Sequence, residues 1–262
     1  MKLSIITINL NNASGLQKTC LSVVTQTFKE FEWIIIDGAS VDNSVDIIKQ
    51  YLNNVSYWIS EPDSGVYNAM NKGINIATGE YFLFLNSGDY LLHPWTLHEV
   101  INEIKLSKYA DVYYTDVLLS DYQLIKHPKT ITLNFFLKTS INHQNCIIRQ
   151  KLFKDELYNE NYKIASDWYF FIKGFYNNTI TYFHIKTNIT IYDINGISNN
   201  KKLISERKEI LEKMNLVIKD SSFSSRKYLS SFCNILKLIK YILPYGLYKI
   251  IVFLKIKYVN IK

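Results

Sequence analysis

Five polar side chains stand at, or just beyond, the ends of predicted strands: Thr7, Asn9, Asp37, Asp63 and Asp89. The carboxyl ends of parallel strands meet at one edge of a sheet, so these side chains are expected to converge on a single cleft. Taken alone, each is more often a cap or turn residue. Several carboxylates at one edge repel each other unless a cation or a donor-rich ligand neutralises them. The pattern therefore favours a metal and a polar ligand.

The stretch 61–90 is expected to organise the rest of the chain. It begins with an acidic turn and continues as a helix in which Val66, Met70 and Ile74 fall near one face. Residues 80–85 then predict a short buried strand, because 81–85 are all apolar. A polar sequence that ends in Asp89 follows this strand at once.

Strands and helices alternate along most of the chain, which predicts an α/β fold with a mostly parallel central sheet and helices on both faces. Strands are predicted at 1–10, 31–37, 56–60, 80–85, 111–118, 122–126 and, in two pieces, within 179–192. Helices are predicted after a Ser14 N-cap and at 42–51, 66–76, 94–106, 165–176 and 201–219, whereas 128–150 is loop-rich.

The composition is that of a globular protein. Of 262 residues, 48% are hydrophobic and 20% are charged. The three cysteines Cys20, Cys146 and Cys233 form no zinc pattern and no disulfide framework, so a reducing compartment is the simpler interpretation.

The whole excess of basic over acidic residues lies in the C-terminal segment. The net charge is +7, but residues 1–200 carry −3 and residues 201–262 carry +10. This distribution favours a membrane surface or an anionic partner over a nucleic-acid groove along the whole protein. Lysines interrupt 221–262 too often for a spanning helix, which needs about 20 apolar residues. Two amphipathic helices in the headgroup plane, or ordinary surface helices, are predicted there instead.

No glycine-rich phosphate loop follows the first strand. Residues 9–15 match neither the dinucleotide nor the Walker pattern. Phosphates bound here would need a metal or basic side chains.

Four segments, in this order, resemble family 2 glycosyltransferases with the GT-A fold: SIITINLNN, SVVTQTFKEFEWIIIDGASVDNS, SEPDSGVYNAMNKGINIATGEYFLFLNSGD and IASDWYFFIK. The resemblance covers residues 1–198. It implies a nucleotide half at about 1–92, an acceptor half at about 93–198, and a basic amphipathic tail at 199–262. It also implies a nucleotide-sugar donor and inversion at the anomeric carbon.

The resemblance assigns a donor role to several positions. Thr7 and Asn9 would lie beside the nucleotide base, and Asp37 would bind the base or ribose. Asp42 matches the next turn, where a cap and a ligand contact are both open. The segment under the donor runs from Asp63 to Asn71, and the donor set comprises Thr7, Asn9, Asp37, Asp63, Asn68, Asn71, Lys72 and Ser87.

The resemblance also places a metal and a general base. Residues 86–89, NSGD, occupy the place of the D-x-D motif, so Mn²⁺ or Mg²⁺ would rest on Asp89 with diphosphate oxygens and water. Asp167 matches the general base, although a helix cap is the alternative. His143 and Gln144 match a loop near the acceptor.

The implied activity is transfer of a hexose or N-acetylhexosamine from UDP to a polyprenyl-diphosphate-linked saccharide. The implied setting is O-antigen or capsule synthesis at the inner, cytoplasmic face of the membrane. A non-catalytic sugar- or lipid-binding relative and a sugar nucleotidyltransferase are the alternatives.

Overall fold

A computed structural model describes residues 2–194 and 201–214. The chain divides into two compact units, Met1–Asn215 and Leu216–Lys262. The second unit, with the amphipathic helices predicted for 221–262, lies outside the described residues. The first unit runs past the predicted boundary at 198 and includes a further helix.

The first unit alternates strands and helices. The strands are β1 (Leu3–Asn9), β2 (Phe31–Asp37), β3 (Tyr57–Ser60), β4 (Tyr81–Phe84), β5 (Tyr90–Leu91), β6 (Val112–Tyr114), β7 (Val117–Leu119), β8 (Leu124–Ile125), β9 (Cys146–Arg149), β10 (Tyr182–His184) and β11 (Thr190–Tyr192). The helices are α1 (Ala13–Val24), α2 (Ser44–Gln50), α3 (Val66–Ile76), α4 (Thr96–Leu106), α5 (Leu133–Lys138), α6 (Ser166–Tyr176) and α7 (Lys201–Lys213).

Seven strands form the central sheet, in the order β10-β6-β9-β4-β1-β2-β3. β1 pairs in parallel with β2 and β4, whereas β9 is antiparallel to both β4 and β6. β6 and β10 therefore run in the same direction as β4. The carboxyl ends of β1, β2, β4, β6 and β10 consequently share one edge, where open α/β sheets bind ligands. The predicted α/β class is confirmed.

The central strands are mostly apolar and largely buried because helices cover both faces of the sheet. Every residue of β1 is buried, and Trp33 of β2 is among the largest fully buried side chains. The Trp33 indole N–H donates to the Thr7 hydroxyl at 3.0 Å inside this core. Burial of these strands fixes β1 and β2 rigidly beneath the edge at which they end.

Local structure departs from the predictions at three places. The N-cap of α1 is Asn12, whose side chain accepts a hydrogen bond from the Gly15 N–H at 3.1 Å, so the prediction of Ser14 was wrong. The loop-rich stretch 128–150 contains α5 and β9. A second sheet, β5-β11-β7-β8, also forms beside the edge.

No helix in the two described ranges is long and apolar enough to cross a membrane.

Candidate active site

The end of β2 carries a buried carboxylate surrounded by donors. Asp37 accepts hydrogen bonds from the Asn9 amide at 2.7 Å, the Ser60 hydroxyl at 2.6 Å, and the Ser40 hydroxyl and N–H at 2.6 and 2.9 Å. Burial opposes ionisation, but these hydrogen bonds outweigh it and lower the pKa of Asp37. Asp37 is therefore a fixed anion at the sheet edge.

Two further groups complete this Asp37 cluster. The Asn9 side-chain oxygen is buried and has no hydrogen-bond partner among the described residues. Asp63 lies against Gly38, where a Cβ atom would stand 2.5 Å from a carboxylate oxygen of Asp63. Only glycine at position 38 leaves room for that approach. The structure thus brings Asn9, Asp37 and Asp63 together, as predicted from their strand-end positions.

Asp89 is the centre of a second cluster, beyond the end of β4. It is only 4% exposed, and it accepts hydrogen bonds from the Asp193 N–H at 2.8 Å and from the Gln144 side chain. Desolvation outweighs these hydrogen bonds and raises the pKa of Asp89 to about 7. The charge of Asp193 contributes in the same direction. Asp89 is therefore able to gain or lose its proton near neutral pH.

Gly88 makes room for a second carboxylate in the Asp89 cluster. Its φ of +105° lies in a region that favours glycine, and a Cβ atom there would stand 3.0 Å from a carboxylate oxygen of Asp193. Gly88 stands where the D-x-D motif usually has a carboxylate. Asp193, just after β11, lies beside that position. Across the described ranges no group of three or more potential metal ligands is found. One or two carboxylates still fit Mg²⁺ or Mn²⁺ when phosphate oxygens supply the remaining ligands.

Asp167, in the first turn of α6, is the centre of a third cluster. One carboxylate oxygen accepts from the Tyr67 hydroxyl and the Trp168 N–H, both at 2.8 Å. The other accepts from His143 Nδ1 at 2.7 Å. On the far side of the imidazole, Nε2 lies 3.1 Å from the Asn86 amide nitrogen. A chain of side chains therefore runs from the D-x-D region to Asp167.

Asp167 retains the properties of a base. Burial alone would raise the pKa of Asp167, but the hydrogen bond and charge of His143, the Tyr67 hydroxyl and the Trp168 N–H bring it below its ordinary value. Its side chain is 16% exposed. The oxygen facing His143 accepts one hydrogen bond and keeps a second lone pair for another proton. The N-cap of α6 is Ala165, so Asp167 is not the N-cap residue.

His143 and Gln144 have different contacts from those implied by the family resemblance. Both are buried, and they contact Asp167 and Asp89 respectively. The two neighbouring side chains reach different carboxylates, because the 3₁₀ turn His143–Asn145 directs successive side chains apart. They hold the two acidic groups, and their place near the acceptor stays a prediction.

Four predicted donor contacts are engaged elsewhere. Thr7 is fully buried with Trp33. Asn68 and Asn71 donate to Glu160, each at 2.9 Å, and Lys72 forms an ion pair with Glu61 at 2.7 Å. Asn68, Asn71 and Lys72 thus tie α3 to its neighbouring loops, and the donor role of all four residues stays a prediction.

Two positions keep a local role near the cleft. Asp42 accepts from the N–H groups of Ala13 and Ser44, at 2.9 and 3.0 Å, which is the geometry of a cap for α1 and α2. The Ser87 carbonyl oxygen accepts a hydrogen bond from the Asn12 side-chain amide at 3.0 Å. The Asn12 side chain therefore joins the start of α1 to the D-x-D region.

Sequence reasoning missed Tyr67, Asp193 and Glu206 as site residues. Tyr67 stands in the segment assigned to the donor, but its helical phase points it at Asp167. Asp193 and Glu206 lie far along the chain and are brought in by β11 and α7. No local pattern distinguishes them from surface carboxylates.

The fold is shared with solved glycosyltransferases. The chain is similar to Staphylococcus aureus TarS residues 1–349, solved with UDP-GlcNAc, at a TM-score of 0.67 and 20% identity over 85% of this chain and 69% of that one. It is also similar to the mannosyltransferase PcManGT of Pyrobaculum calidifontis, solved with GDP-Man and Mn²⁺, at a TM-score of 0.55 and 11% identity over 72% and 56%. The fold is therefore GT-A.

Sequence comparison gives the family. The profile of "Glycosyl transferase family 2" matches residues 4–163. A "PGL/p-HBAD biosynthesis glycosyltransferase" of Mycobacterium bovis is 31% identical over 201 residues, which are 75% of this chain and 78% of that protein. The chain belongs to glycosyl transferase family 2, and its enzyme class is that of a glycosyltransferase.

Proposed function

We propose that this glycosyltransferase moves a sugar from a UDP-hexose or UDP-N-acetylhexosamine to a lipid-linked saccharide, with inversion at the anomeric carbon. The observation that carries the proposal is Asp167. It is an ionised carboxylate with a free lone pair, at the same sheet edge as the Asp37 and Asp89 clusters. An inverting transfer needs one such base facing a bound nucleotide-sugar.

Asp37 and Asn9 are proposed to bind the nucleoside. The fixed anion of Asp37 accepts hydroxyl or N–H donors, and the unpartnered oxygen of Asn9 is a second acceptor beside it. Asp63 adds a third carboxylate next to Gly38. The two ribose hydroxyls and the N3–H of uracil are donors that match this acceptor-rich surface. The UDP-GlcNAc bound by TarS supports this choice of donor class.

Asp89 and Asp193 are proposed to hold a divalent cation, Mn²⁺ or Mg²⁺, together with the donor diphosphate. The cation supplies charge to stabilise the leaving diphosphate. Asp89 contributes its buried carboxylate once it loses its proton, and Gln144 orients that carboxylate. The Mn²⁺ in the PcManGT structure supports a cation in this fold.

Asp167 is proposed to take the proton of the acceptor hydroxyl as that oxygen attacks the anomeric carbon. The carboxylate uses the free lone pair on the oxygen that faces His143. His143 and Tyr67 fix its orientation, because they donate to opposite oxygens of the carboxylate. Such base assistance typically contributes about 10²–10⁴-fold in rate.

The proposed setting is assembly of a surface polysaccharide, O-antigen or capsule, on a polyprenyl-diphosphate carrier at the cytoplasmic face of the membrane. The basic segment 201–262, with its net charge of +10, supports attraction to anionic headgroups. The mycobacterial relative is also a biosynthetic glycosyltransferase by name.

Two alternatives have a specific observation against them. A non-catalytic sugar- or lipid-binding relative would not need the charged network around Asp167. A sugar nucleotidyltransferase would need a glycine-rich basic loop after β1, where this chain has Asn11, Asn12 and Ala13.

A donor screen tests the proposal. The full chain is incubated with UDP-, GDP- and dTDP-sugars and Mn²⁺, and the released nucleotide is measured, with Asp167→Asn as the matched control. We expect UDP release from one or two UDP-sugars and a much slower release by the variant. No release from any donor would support the non-catalytic relative. Pyrophosphate release from a sugar phosphate and a nucleoside triphosphate would support the nucleotidyltransferase.

A further inference from the structure

Glu206, in helix α7, binds the backbone just before the candidate base. Its carboxylate is 6% exposed and accepts the N–H groups of three successive residues: Lys163 at 2.9 Å, Ile164 at 2.9 Å and Ala165 at 3.0 Å. Asp167 follows two residues later. A carboxylate from α7 thus holds the three residues that precede α6.

The start of α6 has no side-chain N-cap. Its N-cap residue is Ala165, which has no side-chain acceptor. Backbone N–H groups at a helix start need a partner, and a negative charge there is also favoured by the helix dipole. Glu206 accepts from the N–H of the N-cap residue Ala165 and places a carboxylate just before the helix start. Hydrogen bonds to an ionised acceptor are roughly twice as strong as neutral ones, so this anchor is firm.

A second contact connects the anchored backbone to the base. The Tyr67 hydroxyl lies 2.8 Å from the Ile164 carbonyl oxygen and 2.8 Å from Asp167. A hydroxyl has one proton, so these two acceptors compete for it. The position of Ile164, whose N–H is held by Glu206, therefore influences how far Tyr67 donates to Asp167.

The remainder of α7 holds Glu206 in place. Ile210 and Leu211 on the same helix are buried, and the Arg207 guanidinium stacks 4.9 Å from the centre of the Trp168 ring. Trp168 is the residue next to Asp167, and its indole N–H donates to the Phe136 carbonyl at 2.8 Å. Helix α7 thus contacts both flanks of the candidate base.

We infer that Glu206 is a positioning residue for the transfer reaction: it sets the orientation of Asp167 through the backbone at 163–165. This inference rests on the proposed function of Asp167 as the base. It assigns a role in the site to Glu206 on helix α7, which lies after the predicted domain boundary at 198.

The test uses three variants of the full chain, Glu206→Gln, Glu206→Asp and the control Glu209→Gln. Glu209 lies on the same helix and pairs with Lys213 at 2.7 Å, at the surface. Glu206→Gln keeps the size of the side chain but loses its charge and one acceptor oxygen. A misplacement of about 1 Å at a catalytic group costs about 10²-fold, so we expect kcat to fall about 10- to 100-fold with the donor KM within about twofold. The control should behave like the wild type.

A double-mutant cycle separates positioning from general stability. In the Asp167→Asn background the base is already lost, so Glu206→Gln should lower kcat by less than about twofold. Hydrogen–deuterium exchange of a peptide over 159–170 should also be faster in Glu206→Gln than in Glu209→Gln. Should Glu206→Gln not fold, Glu206→Asp keeps the charge and is expected to show a smaller fall in kcat.

The outcomes distinguish the two claims. An equal fall in kcat in both backgrounds, or full-rate Gln or Asp variants at position 206, overturns the positioning role and leaves the base assignment standing. An Asp167→Asn enzyme with the wild-type rate overturns the base assignment, and the role of Glu206 with it.

Discussion

Replacement of Asp167 by Asn removes the proposed base and changes few atoms. The Oδ1 atom can keep its hydrogen bonds from Tyr67 and the Trp168 N–H. The new NH₂ group faces His143 Nδ1, which donates in the wild type, so the imidazole proton must move to Nε2. Nε2 then meets the Asn86 amide nitrogen, another donor, at 3.1 Å.

A rotation of the Asn86 amide relieves this conflict. Its oxygen is buried without a partner among the described residues, so it is available to accept from Nε2–H. One charge-assisted hydrogen bond, worth about 1.5–3 kcal/mol, is then replaced by a neutral one of about 0.5–1.5 kcal/mol. We expect the free energy of unfolding to fall by about 1–2 kcal/mol, and Tm by a few degrees.

The expected loss in rate is larger than this loss in stability. Loss of base assistance lowers transfer by about 10²–10⁴-fold, equivalent to about 3–5 kcal/mol of activation free energy. Affinity for UDP should change little, because Asp167 lies outside the Asp37 cluster. With Asp89 kept ionised by saturating Mn²⁺, the wild-type rate should fall as pH drops through the lowered pKa of Asp167, which must be ionised to act. The variant should lose that acidic limb.

The assay compares the initial rate of UDP release, UDP affinity by calorimetry, and Tm. Asp155→Asn is the matched control, because Asp155 is exposed in the loop that precedes α6. A full rate in Asp167→Asn would refute the reasoning. Glu160, which accepts from Asn68 and Asn71, would then be the next carboxylate to test.

Three further changes test the remaining clusters. The pKa of Asp89 is raised to about 7 in the folded protein. Between about pH 4 and 7 the folded protein therefore keeps a proton that the unfolded chain releases. The free energy of unfolding should consequently fall by up to about 4 kcal/mol as the pH rises through this range. Asp89→Asn should flatten that fall in denaturant titrations without metal, and should also remove the Mn²⁺ dependence of transfer; an unchanged pH profile or metal response would contradict the assignment. Asp37→Ala should weaken UDP binding more than it lowers kcat, and unaltered affinity by calorimetry would argue against a nucleoside site. Removal of 221–262 retains α7, so we expect a folded enzyme that hydrolyses its donor but no longer sediments with anionic vesicles; continued sedimentation at high salt would exclude the segment as the anchor.

The sequence predicted the arrangement of β1 and β2 and of the residues at their ends well, because local signals determine it. β1 and β2 are apolar runs that end in Asn9 and Asp37, and the parallel pairing Asn9↔Asp37 follows from the alternation of strands and helices. Convergence of these ends on one edge is a property of any such sheet. The Asp37 cluster could therefore be predicted from the sequence alone.

The surroundings of Asp89, Asp167 and α3 were predicted less well, since their contacts are long-range. β9 enters the sheet antiparallel between β4 and β6, which no periodicity in 128–150 indicates. That insertion brings His143 and Gln144 onto Asp167 and Asp89. Asn68 and Asn71 looked like ligands because their segment matches the family, but their amides satisfy Glu160, 89 or more residues away.

The anomeric configuration of the first sugar released tests the central claim most directly. With an α-linked UDP-sugar and no acceptor, water takes the place of the acceptor hydroxyl, and proton NMR follows the product before mutarotation. Attack in line, assisted by Asp167, predicts the β-anomer first and a rate lowered about 10²–10⁴-fold in Asp167→Asn. The α-anomer first, or equal rates in the two proteins, would contradict an inverting transfer with Asp167 as its base.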